Sequence, residues 1–173
     1  LFIDSLRGQV SVDDAAAGRM ATLAHSLKAY AITDTGDLWD SFLKQAVSYL
    51  TFVPPRAPDV PGVYPLYEGF DYRTVLTVLV AVSGNEELDA TEVGRFYPGR
   101  LISELRARSL NWGILTNGRV WRLYSTKSSR PFEDFVELDL KKALETGDEG
   151  EYALFERFFH TESFASDEGE GNE

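Results

Sequence analysis

Asn111-Trp112-Gly113-Ile114-Leu115-Thr116-Asn117-Gly118-Arg119-Val120-Trp121-Arg122-Leu123-Tyr124 is the stretch that decides the fold, two β-forming runs meeting at Asn117-Gly118. Asn-Gly between such runs predicts a two-residue type I′ turn, because both central positions then need positive φ. The stretch therefore reads as a β-hairpin. Trp112, Ile114, Val120 and Tyr124 fall on one set of alternate positions, and Leu115, Trp121 and Leu123 on the other. With both faces apolar, the hairpin has to be covered on both sides and to lie inside a mixed sheet.

Outward from the hairpin, Thr74 to Val82 is almost pure β-former and apolar throughout, which predicts the sheet's central strand, ended by Ser83-Gly84-Asn85. Residues 86–108 read as helix interrupted near Pro98-Gly99, with Leu101, Ile102 and Leu105 on one face. A further strand is expected near Phe135–Leu140, and a last helix turns Tyr152, Phe155, Phe158 and Phe159 inward. Towards the amino end, Met20, Leu23, Ala24, Leu27 and Ala31 recur at helical spacing behind Asp13 and Asp14, which suit a helix amino end. Thr33-Asp34-Thr35-Gly36 offers caps for a second helix with a wide stripe of Leu38, Trp39, Phe42, Leu43, Ala46, Val47 and Leu50. Between them and the first strand, residues 54–62 hold four prolines and read as loop, since proline removes donors and fixes φ.

The chain has 173 residues, 43% of them hydrophobic, which suits one domain with its own core. The expected division is a single α/β domain over 1–160 and an acidic tail or linker over 161–173, where five acids face no base. No apolar run is long enough to span a membrane and no signal-peptide pattern opens the chain, so the expected compartment is the cytoplasm. A leucine at position 1 and a single methionine, Met20, suggest a piece of a longer parent. Zero cysteines exclude disulfides and thiolate metal sites, and His25 and His160 are far apart, so no zinc site is expected.

Formal net charge is −11, against a nucleic-acid partner at first sight. The distribution is uneven, however. From Arg95 to Arg130 there are eight bases and one acid, Glu104. Arg100, Arg106, Arg108, Arg119, Lys127 and Arg130 are therefore the candidate contacts to duplex DNA phosphates.

The run Gly113-Ile114-Leu115-Thr116-Asn117-Gly118-Arg119-Val120-Trp121-Arg122-Leu123-Tyr124, with a helix before it and Phe135–Leu140 after it, resembles the N-terminal nuclease-type domain of restriction-modification proteins. The likeness is to the type I restriction subunit and to type II enzymes fused to a DNA adenine methyltransferase, and covers roughly residues 95–140. It implies a restriction-endonuclease-like fold, a mixed sheet with a central hairpin flanked by helices. It also implies a magnesium site built from an Asp and an acid-x-lysine pair on the next strand. Two carboxylates hold a hard cation by oxygen, and the lysine steadies charge on the attacked phosphate.

Asp59 in Pro58-Asp59 and Asp71 in Gly69-Phe70-Asp71-Tyr72 are weak matches to the Asp, and Glu86 or Glu87 are candidate relocated acids. The pair itself is missing. No lysine occurs from Ala46 to Tyr124, and the strand reads Leu79-Val80-Ala81-Val82-Ser83 where the pair is expected. The methyltransferase Asn/Asp-Pro-Pro-aromatic motif is absent as well, so S-adenosylmethionine belongs to the parent if it methylates DNA.

These readings converge on a nuclease-like domain with a degenerate site, from a bacterial defence protein of the restriction-modification kind. It would serve DNA engagement or assembly with other domains of its parent. Two alternatives stand beside it: an acidic protein-interaction module without DNA contact, and an active magnesium-dependent nuclease with relocated ligands.

Overall fold

The computed structural model describes residues 14–33, 37–83, 86–89 and 96–165. Asp13, the 34–36 caps, Gly84-Asn85, Arg95 and residues 166–173 of the acidic tail lie outside them. Helix α1 (Ala16–Thr33) precedes a helix that is π-wound over Trp39–Leu43 and α-helical over Lys44–Tyr49 (α2). Strands β1 (Val63–Tyr67) and β2 (Val75–Ala81) follow, then α3 (Tyr97–Ala107), β3 (Trp112–Thr116), β4 (Val120–Ser125) and β5 (Phe135–Asp139). Three short helices close the chain, α4 (Leu140–Thr146), α5 (Glu149–Phe159) and α6 (Glu162–Ala165).

The five strands form one mixed sheet in the order β1-β2-β3-β4-β5. Only β2 and β3 run parallel, and the crossover between them contains α3. Helices cover one face and α3 covers the other, because every strand of the centre is apolar on both sides. Leu79, Ile114, Trp121, Leu123 and Leu138 pack with α1, α2 and α5, whereas Val63, Val78, Val80, Leu115 and Tyr124 pack with Leu101, Ile102 and Leu105 of α3. Each large apolar side chain buried this way contributes on the order of 1.5–3 kcal/mol. Trp121 sits at the heart of the helical face, with the rings of Phe155 and Phe159 edge-on at 4.9 and 5.7 Å.

The wide stripe of the second helix is buried in full, from Leu38 to Leu50. Its start is capped by Asp37, whose Oδ1 accepts from the Trp39 N–H at 3.1 Å, and Trp39 stacks on Tyr64 of β1 at 3.9 Å. Burial, with Asp37 and Asp40 nearby, pushes the Tyr64 hydroxyl up to about 12.

Several expectations are corrected. The central strand is β3, and the 74–82 run supplies the second strand, β2. The hairpin pairing matches Ile114 with Leu123 and Leu115 with Arg122. Crossing the turn therefore reverses parity: Ile114 shares a face with Trp121 and Leu123, and Leu115 with Val120 and Tyr124. The 86–108 helix is shorter than its pattern. Residues 86–89 are bend and turn, and α3 begins at Tyr97, with Pro98 in its first turn where a missing N–H costs nothing. Strand β1 was not expected at all, and α1 begins at Ala16, two residues after Asp14.

Gly113 lies close beneath α3. A Cβ at that position would stand 2.7 Å from both Leu101 Cδ1 and Leu105 Cδ1, so any larger residue there has to turn those leucine side chains aside.

Candidate functional site

The polar chemistry of the domain gathers where the parallel strands β2 and β3 end. Its hub is the hairpin turn, which is not type I′: among its residues only Gly118 has positive φ, at 88°, and Thr116 pairs with Trp121. The loop is four residues long because Asn117 turns inward, 1% exposed. Its Oδ1 accepts from the N–H groups of Arg119 and Val120 at 3.1 and 2.9 Å, and its Nδ2 donates to the Glu86 carbonyl at 2.9 Å. Thr116 Oγ1 accepts from the Gly118 N–H and donates to the Val120 carbonyl, both at 2.9 Å. The side chains of Thr116 and Asn117 thus satisfy backbone groups that a two-residue turn would have paired through the ladder.

The segment 86–89 is held to this turn and to the sheet. Tyr97 of α3 donates to a carboxylate oxygen of Glu86, and Asp89 takes both Nη atoms of Arg122 at 2.7 and 2.9 Å. Arg122 projects from β4, 5% exposed. It also donates from Nε to Glu137 of β5 at 2.8 Å and from Nη1 to the Tyr124 hydroxyl at 3.3 Å, with its guanidinium 4.2 Å from the Phe135 ring centre. Burial disfavours the Arg122 charge, but the bonds to Asp89, Glu137 and Tyr124 together raise its pKa. Hydrogen bonding to Arg122 holds the Asp89 carboxyl below its usual range. Burial raises the Tyr124 hydroxyl against the opposing effect of Arg122. Sequence reasoning missed this cluster, although one signal was available: an arginine in the middle of an otherwise apolar strand needs partners to be buried.

The four acids nominated for magnesium do not meet. Asp59 precedes β1 and pairs with Arg108. Asp71 lies in the β1–β2 turn, where its Oδ1 accepts from the Arg73 N–H at 3.3 Å. That turn and Glu86 stand at opposite ends of β2, a seven-residue strand, which sets them roughly 20 Å apart. Glu87 is exposed, with Arg119 Nη2 at 3.9 Å. Among the described residues no three His, Asp or Glu side chains form a metal-binding group. Val80 and Val82, where the acid-x-lysine pair was expected from sequence, are buried under α3.

The six candidate phosphate contacts are also dispersed in role. Arg100 donates to the Pro61 carbonyl at 2.6 Å and Arg108 pairs with Asp59 and Glu104, so two turns of α3 staple the proline-rich loop. Arg119 reaches the Glu86 carbonyl and Glu87, and Arg130 pairs with Glu133 and Asp134 of its own loop. Arg106 and Lys127 are exposed. No helix among the described residues is long and apolar enough to cross a membrane. Compared with family models, curated proteins and solved structures, the chain matches none of them.

Proposed function

We propose that the chain is a nuclease-like N-terminal domain of a restriction-modification or DNA methyltransferase protein, one that engages DNA or its neighbouring domains without cleaving. The observation that carries this reading is the burial of Val80 and Val82 against α3, on the strand and at the positions where the resemblance expects an acid and a lysine. A methyl group cannot bind a hard cation or orient water, and among the described residues Asp89 and Glu137 are taken up by Arg122. The wording that carries the resemblance occupies β3 and β4 in the middle of a mixed sheet, the layout such a domain needs.

The test is plasmid nicking by the purified chain with magnesium and with manganese. The expected result is intact supercoiled plasmid. Cleavage that disappears in Asp71→Ala or Glu86→Ala overturns the reading in favour of a nuclease with relocated ligands. Duplex binding at low salt, weakened by Arg106→Glu with Lys127→Glu and falling steeply with salt, distinguishes DNA engagement from assembly.

The second reading, an acidic interaction module, is favoured by one feature. Arg100, Arg108, Arg119 and Arg130 all have acceptors within the protein, so part of the basic stretch is consumed in holding the fold together. Absence of duplex affinity in that titration, with the fold intact, selects it.

A further inference from the structure

Among the described residues, the most exposed large apolar side chain is Phe70, 84% exposed at the tip of the β1–β2 connection. The loop that holds it out is well tied. Glu68 N–H donates to the Thr74 carbonyl at 2.9 Å, Tyr72 N–H to the Gly69 carbonyl at 3.1 Å, and Arg73 N–H to Asp71 Oδ1 at 3.3 Å. Tyr72 sits at φ 56°, a left-handed conformation that disfavours any residue with a side chain. What the tyrosine supplies there is its ring, which meets Tyr67 edge-on at 5.2 Å and lies beneath the Arg56 guanidinium at 5.1 Å. These contacts brace the tip from within the loop and from Arg56.

Arg56 and Arg73 differ from most arginines of the chain. Arg19, Arg100, Arg108, Arg119, Arg122 and Arg130 each reach a carboxylate or a carbonyl. Arg56 lies over the Tyr72 ring, and neither its guanidinium nor that of Arg73 has a hydrogen-bond acceptor among the described residues. A guanidinium held over an aromatic ring without a carboxylate partner keeps N–H groups that can take a phosphate in a fork.

We propose that this hairpin tip binds unpaired DNA, with Phe70 stacked on a base and Arg56 and Arg73 on neighbouring phosphates. A bare aromatic ring beside two uncommitted guanidinium groups matches the alternation of flat base and anion along a single strand. A closed duplex offers phosphates but no free base face, so it gains nothing from Phe70. Glu68 and Asp71 of the same loop oppose the arginines in charge, which leaves stacking as the main source of affinity. The inference rests on the reading of the chain as a DNA-engaging domain but uses a surface apart from Arg106 and Lys127.

The experiment is fluorescence anisotropy of the whole chain with an oligothymidylate of about twelve nucleotides, a length one small domain covers. A blunt duplex and inorganic polyphosphate serve as comparisons. Phe70→Ala is expected to weaken the oligothymidylate about five- to 150-fold, with Phe70→Trp restoring it. Duplex and polyphosphate should be unaffected by either change. Arg56→Gln and Arg73→Gln should each reduce the salt slope for the single strand by about 0.7. Phe70 is so exposed that its alanine variant should melt with the parent. Oligothymidylate binding that ignores Phe70, or that polyphosphate equals, overturns this inference alone if duplex binding persists. Absence of binding to every nucleic acid overturns both this inference and the DNA reading beneath it.

Discussion

Asp89 grips Arg122 through both carboxylate oxygens, at 2.7 and 2.9 Å, and so fastens the segment after β2 to the side of β4 away from the helical bundle. The pair is asymmetric in its exposure: the Arg122 side chain is 6% exposed and that of Asp89 75%. The cost of losing the contact therefore depends on which partner is removed.

Removing both acids strands a buried cation, whereas removing the arginine leaves two acids that water can solvate. Asp89→Ala combined with Glu137→Ala should cost about 3 kcal/mol, and Arg122→Met, which keeps the volume against Phe135, well under half of that. Urea unfolding of the three proteins checks the order. A methionine variant less stable than the double-acid variant contradicts it.

The same pair sets a pH dependence. The folded Asp89 carboxyl titrates below its unfolded value of about 3.9, so its contribution is complete above that value and fades as pH falls through the folded pKa. Because Asp89 is largely exposed, the effect is a small one. Urea midpoints measured downward from about pH 6 should fall less in Asp89→Asn than in the parent, with the difference confined to the acid side of about pH 4. An equal fall in both proteins removes Asp89 from the acid response.

Asn117 is asked for both of its functions, acceptor at Oδ1 and donor at Nδ2. Asn117→Ala takes the acceptor from the Arg119 and Val120 N–H groups and leaves the Glu86 carbonyl only the 3.4 Å bond from Arg119, and should cost about 2–3 kcal/mol. Asn117→Asp keeps the acceptor but turns a second oxygen towards the Glu86 carbonyl, so it should recover part of the loss at about pH 3 and less at pH 7. Thermal melts of the aspartate and alanine variants at the two pH values give the comparison, and an aspartate variant whose advantage over alanine grows towards neutrality refutes the donor role.

Ser109 ends α3 in a left-handed conformation, φ 56°. The turn is closed by Leu110 N–H on the Leu105 carbonyl at 2.9 Å and Ser109 N–H on the Arg106 carbonyl at 3.2 Å. That pattern prefers glycine at the position Ser109 holds. Ser109→Gly should stabilise the domain by about 0.5–1 kcal/mol, a rise of roughly 1–4 °C in Tm. A lower Tm means the serine side chain contributes more than its strain removes.

By itself the sequence determined the parts whose signal is local. Asn117-Gly118 between β-formers sufficed for the hairpin, Thr74 to Val82 for β2, and the spacing of Trp39, Phe42, Leu43, Ala46, Val47 and Leu50 for a helix against the sheet. Each rests on periodicity or turn chemistry within a few residues. Strand β1 escaped because it follows directly on the proline-rich 54–62 loop and itself contains Pro65, and its place at the sheet edge is what makes a proline tolerable there.

Tertiary structure alone decided what the polar residues do. Charge counting could place eight bases between Arg95 and Arg130. It could not foresee that Arg108 would meet Asp59, forty-nine positions away, or that Arg122 would meet Asp89. Nor could it set Arg56 over Tyr72 beside an outward Phe70. Apolar side chains announce themselves by repeating, because burial is indifferent to the partner's identity. An ion pair is specific to one partner, and that partner is supplied only when the sheet and its crossover bring distant segments together.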